Sequence, residues 1–127
     1  MSPEKQLQRQ FCQWLRVQHP DVYFMSDASG LRVSIGIQMV IRSTRSKHAA
    51  LDVAIFEPRG KFHGLVIELK AKKPFTAGGQ LSINKHIQDQ QKTVMHLTRK
   101  GYMTLFAWTL DQAIDVATKY LAGKYGN

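Results

Sequence analysis

Two short apolar runs joined by a turn constrain this chain more than any other feature. Leu51-Asp52-Val53-Ala54-Ile55-Phe56 is followed by Glu57-Pro58-Arg59-Gly60-Lys61, and then by a run from Phe62 to Ala71 whose centre reads GLVIELK. Apolar runs of this length suit strands, and Pro and Gly in the connection suit a hairpin. The short connection makes an antiparallel pair the expected arrangement. Side chains alternate faces along a strand, so Glu68 and Lys70 fall on one side, and Leu65, Ile67, Leu69 and Ala71 on the other. Asp52 interrupts the first run as Glu68 and Lys70 interrupt the second. Charges on otherwise apolar strands are costly unless that face meets solvent, a partner or a metal ion.

The rest of the chain arranges itself around this pair. Ser2-Pro3-Glu4 is a helix start, with an N-cap, proline at the first helical position and an acid in the first turn. Leu7, Phe11, Trp14 and Leu15 continue it at helical spacing up to His19-Pro20. Val22 to Met25 reads as a short strand, and Ser26-Asp27-Ala28-Ser29-Gly30 as a turn. From Val33 to Arg42 the alternation of Val33, Ile35, Ile37, Met39 and Ile41 fits a strand, while Ile35, Met39 and Arg42 also fit a helical stripe. Periodicity leaves both open. Ser82 to Lys100 is helical, with Ile83, Ile87, Val94 and Leu97 on the side expected to be buried and Gly101 as terminator. Tyr102 to Trp108 is a last strand. Thr109 and Gln112 can cap a final helix that buries Ala113, Ile114, Ala117 and Leu121. No repeat or linker divides the 127 residues, so a single domain spanning 1–127 is expected, a small mixed sheet flanked by helices.

Composition narrows the function. Eighteen Lys and Arg against nine Asp and Glu leave a formal charge of +9, which favours a polyanionic partner. Arg42, Arg45, Lys47, Lys72, Lys73 and Lys85 are candidate phosphate contacts: any one of them reads better as a solvated surface charge, but as a group they flank the two central strands, which favours a DNA track. No run of about 18 apolar residues is present to span a membrane, and the polar N-terminus lacks the apolar stretch of a secretory signal. A cytoplasmic location is expected. The single cysteine, Cys12, has no cysteine partner, and the five histidines lack zinc-type spacing. Ala77-Gly78-Gly79 lacks the Lys-Ser/Thr of a phosphate loop, so no nucleotide cofactor is expected.

Glu68-x-Lys70 alone is a weak motif, since such pairs occur on many exposed strands as surface ion pairs. With Asp52 on the neighbouring strand and basic surroundings it gains a chemical meaning. Two carboxylates can converge on one divalent ion of the magnesium type, which takes oxygen ligands and keeps several waters. A lysine beside them can orient or deprotonate a water, or stabilise transition-state charge.

The order of Glu4 in a first helix, Asp52 in a strand, Glu68-x-Lys70 in the next strand and Gln90 in a following helix resembles the VRR-NUC family of the PD-(D/E)XK nuclease superfamily. The resemblance runs from Ser2 to about Leu121. It takes in Ser29-Gly30, the pattern Gln90, Leu97, Gly101, Tyr102, and the closing helix from Ala113-Ile114 to Tyr120-Leu121. It implies an α/β, restriction-endonuclease-like core and a helix over 33–42. It also implies a magnesium-dependent DNA endonuclease, with manganese as substitute. Asp52, Glu68, Lys70, Gln90 and Glu4 would be catalytic, and Asp52, Glu68 and Glu4 the metal ligands. A stand-alone chain of this kind is expected in a bacterial or phage-infected cell, as a homodimer acting on branched, junction or flap DNA. One departure is visible: the family's Gly-x-Pro before the aspartate is Ala49-Ala50-Leu51 here. Two alternatives remain beside this reading, a non-catalytic basic nucleic-acid-binding module of the same fold and a nuclease acting on RNA.

Overall fold

In a computed structural model, residues 1–28 and 32–126 are described. Eight elements follow in order: α1 (Pro3–Gln18), β1 (Phe24–Ser26), α2 (Ile35–Ser43), β2 (Val53–Ile55), β3 (Leu65–Leu69), α3 (Lys85–Arg99), β4 (Met103–Ala107) and α4 (Leu110–Leu121). The strands form one mixed sheet in the order β1-β2-β3-β4. β2 pairs antiparallel with both β1 and β3, and β4 lies parallel to β3. A parallel neighbour needs a crossover, and α3 is that crossover.

One face of the sheet is a closed apolar core. Val53, Ile55, Leu65, Ile67, Leu69 and Ala107 pack against Leu7, Phe11 and Leu15 of α1 and Ala113, Ala117 and Tyr120 of α4. The expected alternation therefore holds along β3, whose apolar set enters this core while Glu68 turns to the opposite face, toward α3. Ala71 is exposed, because β3 ends at Leu69.

The helix ends follow their sequence signals. Ser2 Oγ accepts from Lys5 N at 3.2 Å, with Pro3 inside the first turn. Gly101 sits at φ +97°, and its N–H bonds Thr98 O at 3.1 Å while Tyr102 N–H bonds Leu97 O at 3.1 Å. These two bonds are a Schellman closure, which requires the left-handed conformation. Thr109 Oγ1 accepts from Gln112 N at 3.0 Å, but Gln112 reaches back one residue further than a capping box does, to Trp108 N at 2.8 Å.

The segment 33–42, which periodicity left open, is helical from Ile35 on, as the resemblance implied. Other expectations are corrected. The hairpin connection is longer than its turn residues suggested: β3 begins at Leu65, and the tip is closed by pairing of Arg59 with Phe62. Ile83 lies before α3, whose N-cap is Asn84, and is 92% exposed rather than buried. In α4 the fully buried large residue is Tyr120, with Ile114 and Leu121 only partly covered. Ser29 and Gly30 of the expected turn lie outside the described residues.

Candidate active site

The β2–β3 register sets Val53 opposite Ile67, so one step back Asp52 faces Glu68. Asp52 Oδ2 accepts a hydrogen bond from Leu69 N at 2.8 Å, which anchors the carboxylate to the edge of β3. Glu68 is 2% exposed and Lys70 7%. A charge so deeply buried needs partners. Glu68 Oε2 receives two: Gln90 Nε2 donates at 2.8 Å, and Lys70 Nζ lies at 3.3 Å. Gln90 comes from α3 and is itself buried, so the crossover helix positions the acid of the strand it follows.

Each carboxylate thus commits one oxygen to the protein. The other oxygen of Glu68, Oε1, is buried without a hydrogen-bond partner. Asp52 Oδ1 has Lys5 Nζ at 4.0 Å, beyond a hydrogen bond. A buried acceptor left open calls for an explanation, and a cation between the two carboxylates supplies one. Burial and then the neighbouring Asp52 charge push the Glu68 carboxyl up to about 8, against the pull of Lys70. Burial likewise raises Asp52, in spite of the Leu69 N–H and Lys5. Without a counter-ion the pair holds a proton near neutral pH.

These groups share a cavity of about 250 Å³ lined by Glu4, Lys5, Asp27, Arg45, Ala49, Ala50, Asp52, Glu68, Leu69, Lys70, His86 and Gln90. All five expected catalytic residues line it. They are not all brought together: among the described residues no three or more Asp, Glu, His or Cys side chains form a group fit to hold a metal ion. Glu4 therefore stands apart from the two-carboxylate centre. Two oxygen ligands with the remaining positions left to water nevertheless match what magnesium requires.

Of the expected phosphate contacts, Arg45 lines this cavity and pairs with Asp27 at 3.1 Å. Arg42 and Lys47 lie on neighbouring surfaces. Lys72 is exposed, Lys73 Nζ sits 5.9 Å from the Trp108 ring, and Lys85 is paired with Asp89 at 2.7 Å.

Three lining residues, Lys5, Asp27 and His86, were not singled out from the sequence, and neither was Gln8. Gln8 lies behind the cavity, 6% exposed. Its Nε2 donates to Ser26 Oγ, to Asp27 O at 2.9 Å and to Asp52 O at 3.5 Å, tying α1 to the ends of β1 and β2. A signal for it existed. Gln8 stands four residues after Glu4 and three before Phe11, a polar side chain at the edge of the buried stripe.

No family model matches the sequence, and no curated protein matches it either. Among solved structures, one described as a VRR_NUC domain protein matches 100% of this chain and 94% of its own, with a TM-score of 0.66 and 20% sequence identity. Over its whole length, this chain has the fold of a VRR_NUC domain protein.

Proposed function

We propose that the protein is a magnesium-dependent DNA endonuclease, with manganese able to substitute, that cuts branched, junction or flap DNA. One observation carries this reading. Asp52 and Glu68 face each other at the ends of β2 and β3, with Glu68 Oε1 buried and without a hydrogen-bond partner, beside a buried lysine in a single cavity. The shared fold with a VRR_NUC domain protein supports it, and so does the +9 charge.

Asp52 and Glu68 would hold the divalent ion, which supplies a water of lowered pKa and polarises a phosphoryl oxygen. The chain's own groups do the remainder. The Leu69 N–H and the Gln90 amide fix the two carboxylates, so little reorganisation is needed when the ion binds. Lys70 Nζ, already 3.3 Å from Glu68, offers its other N–H groups to the water or to a phosphate oxygen that gains charge. Glu4 acts from the cavity wall on a water rather than as a direct ligand. Arg45 and His86 line the mouth where a phosphate backbone enters. Arg42, Lys47, Lys72, Lys73 and Lys85 extend the positive surface around it.

The working form is a homodimer, and helix α2 is the surface that fits a second copy. None of its residues is buried, and Ile35, Ile37, Met39 and Val40 are 52–77% exposed. Such a helix is stable when its apolar face is covered. Tyr23, Met25 and Phe56 are exposed as well, and an interface of standard size takes about 800 Å² from each partner. Two active sites related by a twofold axis suit paired cuts in a branched substrate.

Labelled duplex, single strand, flap, four-way junction and RNA, incubated with magnesium, manganese or EDTA, test the function. Metal-dependent cutting of a branched DNA is expected. Binding without cutting in either metal would leave a non-catalytic binding module, and cutting of RNA alone would change the substrate.

A further inference from the structure

A second and larger cleft opens beside the catalytic cavity. It measures about 510 Å³ and lies between α1 and β1, lined by Met1, Lys5, Arg9, Cys12, Arg16, Phe24 and the 26–28 turn among others. Lys5 and Asp27 line both hollows, so the two are continuous through these residues. Lys5, Arg9, Cys12 and Arg16 follow one another at spacings of four, three and four along α1, which places them on one face of the helix.

Of the three cations on this face, Lys5 Nζ lies 4.0 Å from Asp52 Oδ1, and the other two are not spent within the molecule. Among the described residues, neither Arg9 nor Arg16 forms an ion pair with an acid, and both are exposed. Lys5 is mostly covered, its side chain 18% exposed, yet its ammonium makes one hydrogen bond, to Gln8 Oε1 at 2.8 Å. Gln8 is held in turn by Ser26 and Asp27, so this acceptor fixes the ammonium at the junction of the two hollows with further N–H groups to offer. The floor carries the Phe24 ring and the apolar atoms of Cys12 and Ala28.

We infer that this cleft binds a single nucleic-acid strand where it leaves the catalytic cavity, with Lys5, Arg9 and Arg16 along its phosphates and Phe24 as a face for a base. A positive groove with an aromatic floor is the common design of sequence-tolerant single-strand sites. The volume is that of a small-ligand pocket, which admits a piece of single strand. The cleft thus gives the cavity a preference for DNA with an unpaired arm. It rests on the nuclease reading for the direction of the strand, whereas its test needs no cleavage.

Cys12 is the chain's only cysteine and lies in the cleft, so its thiol reports on occupancy. The experiment measures the alkylation rate of Cys12 in EDTA, with and without a saturating single-stranded oligonucleotide, and fluorescence-anisotropy binding of that oligonucleotide across a salt series. The same measurements are made on Arg9→Gln/Arg16→Gln, with Lys119→Gln/Lys124→Gln as comparison, after matched melting temperatures are verified. Bound strand should slow Cys12 alkylation at least several-fold. The Arg9/Arg16 variant should bind about tenfold more weakly, with the slope of log affinity against log salt reduced by roughly 1.4, two phosphate contacts at about 0.7 each. An unprotected Cys12 at saturation, absent single-strand binding, or an Arg9/Arg16 variant with wild-type affinity and slope would each overturn the inference. Failure of the wild type to cut any DNA would overturn the nuclease reading and leave this result standing on its own.

Discussion

Three residues carry the proposed chemistry, and all three were legible for the same reason. Asp52, Glu68 and Lys70 stood out as charges set inside apolar strands, where sequence alone demands a partner. Gln90 was legible only through its register with Leu97 and Gly101, Gln8 only through its place at the edge of the buried stripe, and Lys5 not at all. Their roles depend on how α1 lies against the ends of β1 and β2, which no local pattern encodes. The raised Glu68 carboxyl makes a prediction at this scale. Its ordinary value is 4.5 and burial with Asp52 lifts it to about 8. Between those values the folded metal-free chain holds a proton that the unfolded chain has released, so stability falls as pH rises through this window. The melting temperature in EDTA should therefore drop by several degrees across it, and magnesium should restore more at the alkaline end than at the acid end. Glu68→Gln, which stays neutral, should flatten the dependence. An unchanged slope in that variant would show that Glu68 does not carry the proton.

At the scale of elements, strands and caps were easier to read than the segment 33–42. Its residues Ile35, Ile37, Met39, Val40 and Ile41 fit two periods because the helix they form buries no side chain, so no core selects one face. This freedom is the ground on which we propose α2 as an interface. Met39→Glu should turn a dimer into a monomer in light scattering while the melting temperature of the diluted protein changes little, since the side chain is already 64% exposed. A wild type that is monomeric at high micromolar concentration would remove α2 from this role. The closure of α3 gives a sharper stability test. A Cβ on Gly101 would stand 2.6 Å from His63 Cδ2, at a backbone φ of +97°. Gly101→Ala should cost at least about 1 kcal/mol in denaturant unfolding, and retention of wild-type stability would mean the turn can relax.

For the molecule as a whole, a mixed sheet with α1 and α4 on one face and α3 on the other does two jobs. The closed face holds the fold together through Phe11, Leu15, Ile67 and Tyr120. The opposite face needs no such closure at Glu68, and the buried charge there is balanced by Lys70 and Gln90 rather than by removal. The order of elements was legible in the sequence because each strand and helix carries its own period and cap. The continuity of the α1 cleft with the catalytic cavity was not, since it arises from packing between distant segments. The account turns on the claim that Asp52 and Lys70 perform catalysis at this centre. Its most direct test is the single-turnover cleavage rate of a branched DNA in magnesium by the wild type, Asp52→Asn and Lys70→Ala, all verified as folded and able to bind that DNA. Each substitution is expected to lower the rate by about 100-fold or more with binding retained. Variants that bind and cut as fast as the wild type would contradict the account.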